Sequence, residues 1–443
     1  MFGYYVDLAL RSLKYSKVLT GLMVLAIAVG IGACMTTMTV MHLLSGNPMP
    51  GKSEVLFYAQ VDGTPASFAF THRQEPPDML DYSSAIDLWR AGKGNRQALV
   101  VDSPVRLTAP DMKQPALMEM LLSTTADFFT MFDVPFKYGG PWSTEDDLRR
   151  SRVAVISADL NDKLYGGVNS VGRIMHLHDA DVRIVGVLKP WRPSPLFYDV
   201  AGGRHAHGHT ADYYSKPEDV FTPFFTGLEI NDGNFHQYNC WGAPKVVGHL
   251  TDSNCTWIGL WVELDSYAMV ARYRAFLAAY AAQQTKMGRL AFAYDTRLRS
   301  LMEWLEFNQV VPGDVRLQTW LAISFLVICL CNTIGLLLVK FIRRGGEIGV
   351  RRALGAARRH IFMQCLVEAA VIGFLGGIGG FVLTLLGLGL VRRQAVPYAD
   401  LAHLDAGMFG ATFLLAVLVS MLAGTLPAWR ASFIAPALQL KTL

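Results

Sequence analysis

Four stretches of this sequence, Val18–Leu44, Leu317–Val339, Ala369–Val391 and Ala406–Trp429, run without a single Asp, Glu, Lys or Arg. A helix needs about 20 apolar residues to cross the hydrocarbon of a bilayer, and each stretch is longer than that. Inside hydrocarbon the backbone must satisfy its own polar groups, so such segments fold as helices. Charged residues make up 17% of the chain, where a soluble chain averages about 25%. The sequence predicts a membrane α-helical protein with four transmembrane helices and a large α/β domain inserted between the first and second.

The expected boundaries follow. Residues 1–16 form an amphipathic segment on the cytoplasmic side, and 17–44 the first span. Residues 45–315 form an external domain, and 316–342 the second span. A basic loop covers 343–360, the third span 361–391, a short external loop 392–406, the fourth span 407–429 and a tail 430–443. The first span is too long for the apolar region of a secretory signal and reads as an uncleaved anchor.

Lys and Arg bias sets the orientation. Arg11, Lys14 and Lys17 precede the first span, and the 343–360 loop holds Arg343, Arg344, Arg351, Arg352, Arg358 and Arg359. The 392–406 loop has only Arg392 and Arg393, offset by Asp400 and Asp405. Both termini and the 343–360 loop are therefore expected in the cytoplasm, and the domain in the periplasm. The net charge of +4 is accounted for by these anchors and gives no reason to invoke nucleic acid.

Cys34, Cys329, Cys331 and Cys365 lie in or beside the spans and read as small apolar residues. Cys240 and Cys255 lie in the external domain, where an oxidising compartment favours a disulfide. Closing that loop contributes about 3 kcal/mol in the chain-entropy account.

Within the domain, Ser53–Val61, Val153–Ser157 and Val182–Leu188 read as strands, and Ala158–Tyr165 as a helix. Asp265 is placed to cap a helix running to about Lys286. Residues 189–256, rich in Gly, Pro, His and aromatics, read as an irregular insertion. In it, His205, His207 and His209 would share one face of an extended strand and are weak metal candidates; solvated loop histidines are the plainer reading. Tyr213, Tyr214, Trp241, Trp257 and Trp261 read as a core. Gly46-Asn-Pro-Met-Pro-Gly51-Lys52-Ser53 spells a phosphate-loop pattern, but two prolines remove N–H donors and the required strand-before, helix-after context is missing. No catalytic constellation stands out, no cofactor is implied and the chain is not read as an enzyme.

The segment Glu347-Ile348-Gly349-Val350-Arg351-Arg352-Ala353-Leu354-Gly355 is the most specific motif. As a helix it would put Ile348, Arg351 and Arg352 on one face, with Gly355 suited to end it. With Leu8-Ala-Leu-Arg11-Ser-Leu-Lys14 and Gly424-Thr-Leu-Pro427-Ala-Trp429-Arg430, it resembles the MacB/FtsX-type ABC transporter permeases. The stretches Ser123–Phe129, Phe132–Pro135, Val153–Ser157, Leu164–Gly167 and Val185–Val187 resemble that family's periplasmic core domain, which is split into two α/β lobes. Gly346 before the Glu, and Ala435-Pro436 where the family usually has Asp-Pro, are departures.

The resemblance implies that 347–355 docks on a cytosolic ABC ATPase subunit carried by another chain. It implies work as a dimer with a second copy or a paralogue, and efflux by mechanotransmission with a periplasmic adaptor and an outer-membrane channel. Lipoprotein release, or regulation of a periplasmic enzyme or kinase without transport, are the alternatives. Gly373, Gly376, Gly377 and Gly380 form small-xxx-small pairs for close helix approach, within the subunit or between two. Gln364 and Glu368 share one helix face, where the Glu is expected to be interfacial and solvated.

Overall fold

A computed structural model describes residues 8, 11–12, 16–70, 75–109, 115–231, 234–244, 246, 249–251, 254–404 and 406–433. The amphipathic 8–14 segment and the 430–443 tail therefore fall largely outside the described residues. The chain divides into two compact units, Met1–Ser45 with Val311–Leu443, and Gly46–Val310.

The first unit is helical. Helix α1 is Lys17–Ser45, α2 Gly313–Arg343, α3 Gly345–Ala353, α4 Arg358–Val391 and α5 Ala406–Ser432. Among the described residues three helices, α1, α2 and α4, are long and apolar enough to cross a membrane. Large apolar side chains lie exposed along them, among them Leu22, Leu321, Phe325, Phe374 and Leu386. Against water such faces would aggregate, whereas against hydrocarbon they carry no desolvation cost. Met23, Ile27, Ile31, Leu326, Leu337, Phe341, Ile361 and Ile372 close the inner core.

Helix α4 meets α1 through its glycines. A Cβ on Gly376 would lie 2.6 Å from Cγ2 of Ile27, and one on Gly380 would lie 2.8 Å from Cγ2 of Ile31. The Gly376/Gly380 pair therefore serves packing inside this chain. Gly373 and Gly377 are also buried.

The second unit is an α/β domain. Its strands are β1 (Leu56–Val61), β2 (Leu80–Asp81), β3 (Arg96–Thr108), β4 (Leu117–Thr124), β5 (Phe136–Gly139) and β6 (Val153–Ile156). They continue with β7 (Ile174–Leu177), β8 (Ala180–Leu188), β9 (Val220–Pro223), β10 (Asn239–Cys240), β11 (Cys255–Glu263) and β12 (Thr296–Ser300). The main path runs β12-β1-β11-β3-β4-β9-β6-β8-β5. Strand β1 begins at Leu56 rather than Ser53, because Lys52 and Ser53 turn back on the carbonyl of Met49.

Two cores share this sheet. One packs β1 and β11 under the helices Tyr82–Ala91 and Tyr267–Lys286. The other packs β4, β6, β7 and β8 under the helix Ala158–Tyr165. Local chemistry explains that last helix. Ser157 Oγ accepts from the Leu160 N–H at 3.0 Å, and Gly166 at φ +66° ends it. In the long helix of the first core, Ser266 is the cap rather than Asp265.

The segment 189–256 is not irregular throughout. Its residues Val220–Pro223 form β9, paired parallel to β4 and antiparallel to β6 in the middle of the sheet. Its first part is pinned by buried tryptophans: Trp261 donates to the Tyr198 carbonyl and Trp304 to that of Val200, both at 3.1 Å. Phe128, Phe132, Phe197, Tyr198 and Trp261 meet edge to face around them, and Tyr214, Trp241 and Trp257 are buried too. Cys240 and Cys255 form a disulfide that joins β10 to β11.

Candidate functional site

The basic segment between α2 and α4 folds as the short helix α3. Gly345, Ile348 and Gly349 are buried, and Ile348 joins the core of Met23, Ile27 and Phe341. Gly355 at φ +97° follows the last turn, a left-handed position that suits glycine, and its N–H donates to the Arg352 carbonyl at 3.1 Å.

The face holding Ile348 turns inward, against the long helices. Glu347, Val350, Ala353 and Leu354 are exposed instead, Leu354 at 83%. Arg351 is also turned back: it pairs with Glu347 at 2.6 Å and donates to Oε1 of Gln364 at 2.9 Å. The surface α3 offers is therefore an apolar pair, Val350 and Leu354, beside a carboxylate.

Beneath α3 lies a charged cluster built on a buried ion pair. Glu368 of α4 is 1% exposed and accepts a 2.7 Å ion pair from Lys340 of α2, itself 2% exposed. Its other oxygen pairs with Arg344 at 3.0 Å. Ser12 donates to Glu368 at 2.5 Å and accepts from Arg344 at 2.7 Å. Lys340 also donates to Thr20 of α1 at 3.3 Å. Arg344 then reaches Glu347 of α3 through Nε at 3.0 Å and Nη2 at 3.1 Å. Burial works against the Arg344 charge, but Glu368 and Glu347 outweigh it and raise its pKa.

A solvated Glu368 was the expectation, and it is overturned. The shared face of Gln364 and Glu368 is real, yet Gln364 accepts from Arg351 of α3 and Glu368 from Arg344 just before it. A buried charge is tolerated only when paired and hydrogen-bonded, and this carboxylate has three partners. Lys340, Arg344, Ser12 and Thr20 were missed. Lys340 carried a signal: it directly follows the apolar run Leu317–Val339, as Glu368 directly precedes the next run.

The remaining sequence candidates lie elsewhere in the fold. Gly203–His205 is a 3-10 turn, and His207 has φ +50°, so His205, His207 and His209 do not share one face of a strand. All three are exposed. No cluster of metal-ligating side chains occurs among the described residues. Lys52 of the phosphate-loop pattern is committed to Asp133 at 2.6 Å and to the Thr130 carbonyl at 2.9 Å.

Two family models match the chain. The MacB-like periplasmic core domain matches residues 20–252, more than half of it, and the FtsX-like permease C-terminal matches residues 320–436. The chain belongs to the MacB/FtsX-like family of ABC transporter permeases. It is 25% identical over 311 residues to a macrolide export ATP-binding/permease protein MacB of Azoarcus sp. (strain BH72), covering 69% of this chain and 40% of that protein. A MacB of Bordetella avium (strain 197N) is 32% identical over 289 residues, covering 65% of this chain and 38% of the relative. The chain thus spans about 40% of the length of the curated relatives it matches. Among solved structures, the periplasmic region of MacB from Actinobacillus actinomycetemcomitans aligns at 13% identity with a TM-score of 0.36, over 60% of this chain and 97% of that one. As a family member, the chain is an ABC transporter permease with a periplasmic domain and membrane-crossing helices.

Proposed function

We propose that this permease is the force-receiving part of an efflux transporter that works by mechanotransmission. ATP-driven closure of an ATP-binding component displaces α3. The displacement passes through Arg344, Glu368 and Lys340 into α1, α2 and α4. Two of those helices continue by the chain itself into the domain Gly46–Val310, which then expels substrate on the periplasmic side toward an adaptor and an outer-membrane channel. In this arrangement α5 is a fourth span. Both termini and α3 face the cytoplasm, and a second permease copy or a paralogue completes the transporter. The MacB relatives are named for export and for ATP binding as well as permeation, which supports this direction of reading.

The carrying observation is the buried cluster. A positively charged loop alone would need no tie to the helices. Here the carboxylate of Glu368 holds two cations that precede the start of α3, one at 2.7 Å and one at 3.0 Å. Such a joint is stiff, because breaking the Lys340 pair leaves a buried charge uncompensated. No charged path crosses the apolar middle of the long helices, which fits a pump that moves substrate outside the bilayer.

The test is a pull-down of the tagged chain from gently solubilised membranes, read by mass spectrometry. Recovery of an ATP-binding protein with an adaptor and an outer-membrane channel is the expected result. A periplasmic hydrolase or histidine kinase in place of the adaptor would refute export. Val350→Asp with Leu354→Glu should abolish recovery of the ATP-binding protein. Undiminished recovery would refute docking through α3.

A further inference from the structure

A cavity of about 440 Å³ opens where α1 begins and α2 ends. Four cations border it: Lys17, Lys340, Arg343 and Arg344. Lys340 and Arg344 are neutralised by Glu368 and Glu347. Lys17 and Arg343 are exposed and have no ion-pair partner among the described residues. Two cations therefore stand in excess over the carboxylates that the cluster contains. The hydroxyl of Ser16 lines the same space. The N-terminal end of α1 adds the positive end of its dipole.

The surroundings select among anions. Val18 is 79% exposed, Leu22 51% and Ile342 61%. They belong to α1 and α2, two helices able to cross a membrane. A ligand held here meets fixed positive charge at one end and hydrocarbon-facing side chains at the other. A free phosphate would use only the first feature. A phospholipid with a net negative headgroup uses both, its phosphate at Lys17 and Arg343 and its acyl chains along Val18, Leu22 and Ile342.

We propose that this cavity binds the headgroup of an anionic phospholipid. The site borders Arg344 and Lys340, so the lipid sits beside the joint between α3 and the long helices. The inference stands on the cavity alone and does not need the mechanotransmission reading.

The test uses the full chain, purified in detergent and stripped of lipid, titrated with phosphatidylglycerol, phosphatidylcholine or inorganic phosphate and read by native mass spectrometry. Phosphatidylglycerol should bind with saturation, more tightly than phosphatidylcholine. The Lys17→Gln, Arg343→Gln double variant should lose about tenfold or more in affinity, since each basic residue near a lipid surface contributes roughly a few-fold. Lys17→Arg with Arg343→Lys should restore it. Arg392→Gln with Arg393→Gln, at the other end of α4, should leave it unchanged. Equal binding of phosphatidylcholine, equal loss in the control pair, or competition by millimolar inorganic phosphate would each overturn the lipid assignment.

Discussion

Replacing Glu368 by Gln removes the counter-charge of Lys340, which is buried with it. Lys340 Nζ would keep Thr20 Oγ1 at 3.3 Å and an amide oxygen, while its own charge stays 2% exposed. Arg344 loses less, because Glu347 still holds it at 2.9 Å. Removing one partner of a buried pair costs about 3–5 kcal/mol, and the retained amide acceptor places Glu368→Gln near about 3 kcal/mol. Lys340→Met in the same chain removes the stranded charge. The double variant should recover about 2 kcal/mol relative to Glu368→Gln alone, an interaction energy that independent sites would not show. The buried thiols Cys34, Cys329 and Cys365 lie in this unit and report its opening. In a Cys331→Ser background, maleimide labelling of the detergent-solubilised chain should accelerate about a hundredfold for Glu368→Gln, the equivalent of about 3 kcal/mol. A rate within threefold of the parent, or a double variant as fast as the product of the two singles, would refute a buried, mutually compensated cluster.

The external domain should lose stability as pH rises. Burial lifts the Glu218 carboxyl to about 7, and burial does the same for Asp147, also to about 7, despite the N–H groups of Ala126 and Trp142 donating to it. Both acids bind a proton more tightly folded than unfolded, so ionising them from about pH 4.5 to 7 favours the unfolded chain. The hydrogen bond to Asp102 raises His236, whose contribution is present below its ordinary value and lost as pH climbs through the folded one. The tryptophan-monitored Tm should thus be higher at pH 5 than at pH 8; the opposite order would contradict these assignments. Gly376→Leu should cost about 1–3 kcal/mol or separate α1 from α4, because its Cβ alone would meet Ile27 at 2.6 Å; unchanged thiol labelling would show that the helices do not touch there. Changing Cys240 and Cys255 to Ser should lower domain stability by about 3 kcal/mol in denaturant titrations and abolish the mobility difference between reduced and non-reduced gels.

Some of this protein is a local property of the chain and could be read there. Length and lack of charge mark α1, α2 and α4, since hydrocarbon tests each helix by composition alone. Ser157 before Ala158 and Gly166 after Tyr165 bracket a helix because caps act over one turn. The pairing of Cys240 with Cys255 followed from compartment and count. Other features depend on neighbours distant in sequence. Val220–Pro223 has too few residues for a periodic signal, and it is a strand because β4 and β6 offer it hydrogen bonds on both sides. The spacing of α3 allows Ile348, Arg351 and Arg352 one face, but which way that face turns is set by the core of Met23, Ile27 and Phe341. Glu368 and Lys340 are each isolated charges beside apolar runs. Only the packing of α2 on α1 and α4 brings them within 2.7 Å, where each is the counter-charge that the other's burial requires.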